Sequence, residues 1–137
     1  REGDDAQGGL DDAALDAARG LAAEHDVTVL LKGGHLDETE APEAAAAEVP
    51  DAVVRVAGAV HEVRGPRVAT RASHGTGCTL SSALATLAGA GLSWEDALER
   101  AKPWLADAMR AGEALAVGDA SRPTWHGPVD HGHAQRG

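Results

Sequence analysis

Gly75 and Gly77 of a Gly-Thr-Gly turn stand directly before an uninterrupted run of helical period, and no other feature limits so sharply what this chain can become. From Leu80 onward the apolar residues Leu80, Ala83, Leu84, Leu87 and Ala88 fall on one helical face, which Gly89 and Gly91 bring to a stop. The chain must therefore turn tightly and enter a helix near Thr79. The backbone N–H groups of Thr76 to Thr79 are then expected to converge at the positive end of the helix dipole, where an anion is held. A side chain in place of either glycine would obstruct the approach of a phosphoryl group to that backbone. Cys78, the only cysteine of the chain, lies in the same turn. Because a helix amino terminus favours thiolate over thiol, Cys78 reads as a base or nucleophile. The competing readings are a small buried residue beside a tight loop, and a thiol hydrolase pairing Cys78 with His74.

Elsewhere the periodicity alternates between helix and strand. Leu10, Ala14, Ala17, Ala18 and Leu21 share one helical face, with Asp11 and Asp12 in the first turn. Val27 to Leu31 is a short apolar run ending in Lys-Gly-Gly, expected as a buried strand of a parallel sheet. Lys32 then projects over the carboxyl edge of that sheet, where open α/β folds bind ligands. Leu36 to Asp51, acidic, alanine-rich and broken by Pro42 and Pro50, reads as a surface loop. Val53 to Val56 and Val60 to Arg64 read as a hairpin turning at Gly58. Ser93 to Asp96 resembles a capping box opening a longer helix, with Ala97, Leu98, Ala101, Leu105, Ala108 and Met109 turned inward and a kink expected at Pro103. Residues 119–137 show no period and read as an irregular tail.

At 137 residues the chain is expected to form a single domain, 1–137. Its 22 acidic against 12 basic residues, a formal charge of -10, exclude a nucleic acid or an anionic membrane held by bulk electrostatics. Any phosphate has to be gripped locally. One cysteine excludes an intrachain disulfide, and no apolar run is long enough to span a bilayer, so the cytoplasm is the expected compartment. The opening REGDDAQGG reads as an interior loop of something longer. His35, His61, His126, His131 and His133 match no closed zinc spacing, and no metal ligands are assigned.

Five segments in order, LLKGGH (Leu30 to His35), VHEV (Val60 to Val63), TRASHGTGCTLSSA (Thr70 to Ala83), ALERAK (Ala97 to Lys102) and HGPVDH (His126 to His131), resemble the hydroxymethylpyrimidine/phosphomethylpyrimidine kinases of thiamine biosynthesis. These are ribokinase-like enzymes, most of whose wider relatives carry Asp at the position of Cys78. The resemblance runs from about Leu10 to His131 and covers the carboxyl-terminal half of such an enzyme. It implies an α/β fold, the carboxyl-terminal half of a three-layer α/β/α sandwich. It also implies ATP-dependent phosphorylation of 4-amino-5-hydroxymethyl-2-methylpyrimidine and of its monophosphate, with ATP and Mg2+ as cofactors.

Carried over by position, Gly75, Thr76, Gly77 and Cys78 would form the anion hole around the transferring phosphoryl group. Cys78 would match the family's base, and Lys32 the lysine that neutralises nucleotide phosphates. Gly33, Gly34 and Thr70 would complete the nucleotide side. Ala72 stands where the family usually has Asn. The strands of the pyrimidine pocket and the acidic residues for magnesium are expected outside this stretch. The isolated chain is accordingly expected to be inactive and prone to self-association, a homodimer included. Two alternatives accompany this reading: a pyridoxal or pyridoxine kinase of the same superfamily, and a non-catalytic nucleotide- or phosphate-binding module.

Overall fold

The computed structural model describes residues 10–33 and 48–135. They form α1 (Asp12–His25), β1 (Val29–Lys32), β2 (Glu48–Val54), β3 (Val60–Pro66), α2 (Thr76–Gly89) and α3 (Trp94–Gly112), an α/β arrangement of helices and one small sheet. The length that reads as one domain is organised in two compact units, the first reaching to Arg67 and the second starting at Val68.

In the first unit α1 packs against the sheet. Its buried line is Ala18 and Ala22, set against Val54 with Val29, Leu31 and Val60 around them. Leu21, expected on the inner face, is half exposed, and Ala17 is exposed as well. The small Ala18 and Ala22 side chains let the helix backbone come close to the strands, and that close approach selects the alanine line over the leucine line. The helix closes with Asp26 in the left-handed region (φ 53°), and the Val27 N–H reaches back to the Ala22 carbonyl at 3.1 Å.

That closure corrects the expected strand. Val27 spends its N–H on ending α1 and is exposed, so β1 begins at Val29 instead of Val27 and extends to Lys32. Its pairing is antiparallel, with β2, and not parallel as expected from its apolar run. The sheet order is β1-β2-β3, both pairs antiparallel. As the middle strand, β2 is buried from Pro50 to Val54.

The stretch read as a loop up to Asp51 also needs correction, because Glu48 to Asp51 belong to β2. Pro50 is tolerated because it pairs beyond the end of β1: its carbonyl accepts the Gly33 N–H at 2.9 Å, and the return bond that a proline cannot donate falls where β1 has ended. The β2–β3 hairpin turns as expected, with Gly58 at φ 83°.

In the second unit α2 packs against α3. Leu80 and Leu84 are buried on the predicted face of α2. Helix α2 ends in a full Schellman closure at Gly91 (φ 101°), with Leu92 N–H on the Leu87 carbonyl (3.1 Å) and Gly91 N–H on that of Ala88 (3.0 Å). Helix α3 is capped by Ser93, whose Oγ accepts the Asp96 N–H at 3.1 Å and donates to the Asp96 carboxylate at 2.7 Å. It runs through Pro103 and buries Ala97, Leu98, Ala101, Leu105 and Ala108 as expected, together with Lys102.

The segment after α3 folds back onto that helix. Asp130 N–H donates to the Ala108 carbonyl at 2.9 Å, and Val129 and Asp130 are buried. At Gly112 an added Cβ would stand 2.5 Å from the Pro128 carbonyl oxygen and 2.8 Å from the Ala72 Cβ, so only glycine admits this approach.

Candidate phosphate turn and nucleotide residues

The Gly-Thr-Gly turn enters its helix sooner than the period indicated. Gly75, with φ 83° and ψ 8°, is the residue before the helix, and Thr76 is its first member, three positions ahead of Thr79. The reason is the freedom of Gly75: the left-handed conformation closes the turn in one residue. A Cβ at Gly75 would meet nothing within 4 Å, so glycine is required there by backbone conformation and not by crowding.

This start decides which amides lack an acceptor within the helix. Thr79 N–H is spent on the Gly75 carbonyl at 2.9 Å and leaves the expected set. Thr76, Gly77 and Cys78 occupy the first three helical positions, where an α-helix has no internal acceptor for its N–H groups. Thr76 makes one long bond, 3.5 Å, to the Ser73 carbonyl. Among the described residues no side chain caps this terminus. What remains is a short arc of amides with the helix dipole behind it, carrying an exposed free thiol at Cys78.

Thr79 turns inward instead. Its hydroxyl lies 2.9 Å from His131 Nε2, and the Ser73 hydroxyl lies 3.4 Å from His126 Nδ1. His133 packs its ring against Trp104, centroids 5.6 Å apart. Three histidines of the tail segment are thus engaged with α2, α3 and the turn.

Thr70 donates its hydroxyl to Glu113 at 2.6 Å and accepts the Ala72 N–H at 3.0 Å, bonds that tie the approach to the turn to the end of α3. Ala72 is fully buried. In the first unit Lys32 closes β1 and is exposed, Cα-paired with Asp51. Gly33 is a point of close approach: its N–H is shared between the Pro50 carbonyl and the Asp51 carboxylate (3.1 Å), and a Cβ there would stand 2.2 Å from the Pro50 oxygen. Gly34 lies outside the described residues.

Sequence reasoning passed over His131 as a partner of Thr79. His131 lies in a quoted motif, but nothing local couples it to Thr79.

Comparison with known proteins supplies the relationship. A profile of the phosphomethylpyrimidine kinase family matches residues 7–125. The chain is 47% identical over 125 residues to the thiamine biosynthesis multifunctional protein ThiED of Corynebacterium glutamicum, covering 91% of this chain and 15% of that protein. It is 37% identical over 120 residues to the hydroxymethylpyrimidine/phosphomethylpyrimidine kinase of Escherichia coli, covering 88% of this chain and 40% of the relative. The chain thus spans less than half the length of these relatives. No helix among the described residues is long and apolar enough to cross a membrane.

Proposed function

The chain belongs to the phosphomethylpyrimidine kinase family, and from that membership we propose that it supplies the phosphoryl-transfer portion of an ATP-dependent kinase acting on hydroxymethylpyrimidine and its monophosphate in thiamine biosynthesis. The observation that carries the reading is the amino end of α2, where a left-handed Gly75 leads into the first three helical positions, Thr76, Gly77 and Cys78, whose N–H groups have no acceptor within the helix, Thr76 making a long bond to Ser73. An arc of this kind suits a phosphoryl group, whose charge in transfer is spread over several oxygens and is stabilised chiefly by positioned donors.

In this proposal Gly75, Thr76, Gly77 and Cys78 hold the transferring group. Cys78 accepts the proton of the substrate hydroxyl as that oxygen bonds to the γ-phosphorus of ATP, while the bond from that phosphorus to the bridging oxygen breaks and ADP leaves. Lys32, exposed at the end of β1, offsets nucleotide phosphate charge, with Gly33, Gly34 and Thr70 on the nucleotide side. Amides at a helix start and an exposed lysine are each groups that suit phosphate, every one within its own unit. The nucleotide would bring its magnesium, for which no cluster of three His, Cys, Asp or Glu stands among the described residues. Family membership supports a ribokinase-like fold for the whole enzyme, a three-layer sandwich working with ATP in the cytoplasm.

The test is phosphate transfer from ATP to 4-amino-5-hydroxymethyl-2-methylpyrimidine by the full-length protein that carries this chain, with pyridoxal as the comparison substrate. Preferential turnover of the pyrimidine is expected, and little or none by the 137 residues alone. A full-length protein that leaves the pyrimidine untouched, or prefers pyridoxal, would overturn the assignment.

A further inference from the structure

We propose that Arg71 is the positioning residue of the phosphate turn, acting through Trp125 and the 117–127 loop without touching a ligand. This deepens the function proposed above and rests on it.

The guanidinium of Arg71 is consumed by one loop. Nε and Nη2 donate to the Trp125 carbonyl at 3.2 and 3.0 Å, Nη1 donates to the Ala120 carbonyl at 3.2 Å, and Nη2 also donates to the Arg122 carbonyl. The guanidinium carbon lies 5.2 Å from the centroid of the Trp125 ring, within cation–π range. The planar fork reaches three carbonyls from three separate nitrogens while its face lies over the indole, a geometry that the compact point charge of a lysine ammonium does not reproduce.

Trp125 is held from the other side by its indole N–H, which donates to the Val117 carbonyl at 2.8 Å. Its ring fills the space where a side chain at Gly127 would stand, 2.5 Å from the position of a Cβ. The ring therefore fixes where Gly127 can be, and Gly127 must be glycine to meet it.

From Gly127 two backbone bonds reach the turn. Its N–H donates to the Arg71 carbonyl at 2.9 Å, and its carbonyl accepts the N–H of His74 at 3.0 Å. His74 and Pro128 form an isolated parallel bridge at this point. His74 immediately precedes Gly75, around which no packing would touch even a Cβ. These backbone bonds hold the residue just before the turn, beside the side-chain bonds of Ser73 and Thr79 to His126 and His131. The line from guanidinium to loop, indole, Gly127 and His74 is continuous, and it ends on the residue that aims the Thr76 to Cys78 amides.

Donors of this kind act only when placed, and a misplacement of about 1 Å can cost about 10²-fold in rate. In the full-length protein carrying this chain, Arg71→Ala should lower kcat by about 10²-fold while moving the KM for the pyrimidine far less. Amide hydrogen exchange at His74 and Gly127 should accelerate. Ethylguanidinium added to Arg71→Ala should restore part of kcat, whereas Arg71→Lys should stay impaired.

Wild-type kcat in Arg71→Ala, or unchanged exchange at His74 and Gly127, would overturn the proposal. If Arg71→Ala fails to fold, Arg71→Lys and Trp125→Phe decide by the same two readouts. If the wild-type protein does not phosphorylate the pyrimidine, the function falls, and the exchange at His74 and Gly127 still decides the positioning role.

Discussion

The Nε2 of His131 lies 2.9 Å from the Oγ1 of Thr79, joining residues 52 positions apart at the point where α2 leaves the Gly-Thr-Gly turn. Thr79 is buried, and its neighbour Cys78 faces out. Thr79→Val keeps the branched shape and removes the hydroxyl, so it isolates this bond. Loss of one such bond costs about 1 kcal/mol. The urea midpoint should fall accordingly, and the His131 ring resonances should shift in the NMR spectrum. Unmoved resonances would mean that the bond is absent in solution.

Cys78 and Lys32 should fail differently when changed in the full-length protein. With Cys78 as base, Cys78→Ser should lower kcat by about 10²- to 10⁴-fold and leave nucleotide affinity nearly intact, because the amide arc survives. Lys32→Ala should raise the KM for ATP and lower kcat together, since a phosphate charge goes unmatched in both ground and transition states. Cys78→Asp should retain part of the activity, a carboxylate being able to accept the same proton. Steady-state kinetics with varied ATP separates these outcomes, and a Cys78→Ser enzyme at wild-type speed would reduce Cys78 to a bystander.

Two glycines within helices should respond oppositely to alanine. Gly20 lies exposed in α1 with nothing within 4 Å of an added Cβ, so Gly20→Ala should stabilise by about 0.5–1 kcal/mol. Gly112 would drive its Cβ to 2.5 Å from the Pro128 oxygen, so Gly112→Ala should destabilise by about 1–3 kcal/mol as overpacking does. Equilibrium urea unfolding measures both, and a neutral Gly112→Ala would contradict the packing of the tail segment on α3.

Asp119, in the loop held by Arg71, has its carboxyl held below the usual carboxylate range, first by the hydroxyl of Ser121 and then by the Ser121 backbone N–H. A lowered folded-state value means the contribution to loop order is complete above the ordinary carboxylate pKa and is lost as the pH falls through the lower, folded-state value. Ser121→Ala should therefore move the Asp119 titration upward. An NMR titration of its side-chain carbonyl checks this, and an unmoved midpoint would remove Ser121 as the cause.

Much of the local structure was legible in the residues themselves. The period from Leu80 placed the buried face of α2, Gly91 its closure, Ser93 and Asp96 the cap of α3, and Gly58 the hairpin, because each signal spans only a few residues. The ordered motifs from LLKGGH to HGPVDH carried the family. Tertiary structure alone decided the rest. The burial of Ala18 and Ala22 in place of Leu21 depends on which face the sheet meets, and the antiparallel pairing of β1 depends on a partner 18 or more residues away across Gly33 and Asp51. The start of α2 at Thr76 followed from one left-handed glycine that periodicity does not register. The clasp of Arg71 on Trp125, 54 positions apart, and the bond of Thr79 to His131 have no local signature, since hydrogen bonds between distant residues exist only once the chain has folded to bring them together.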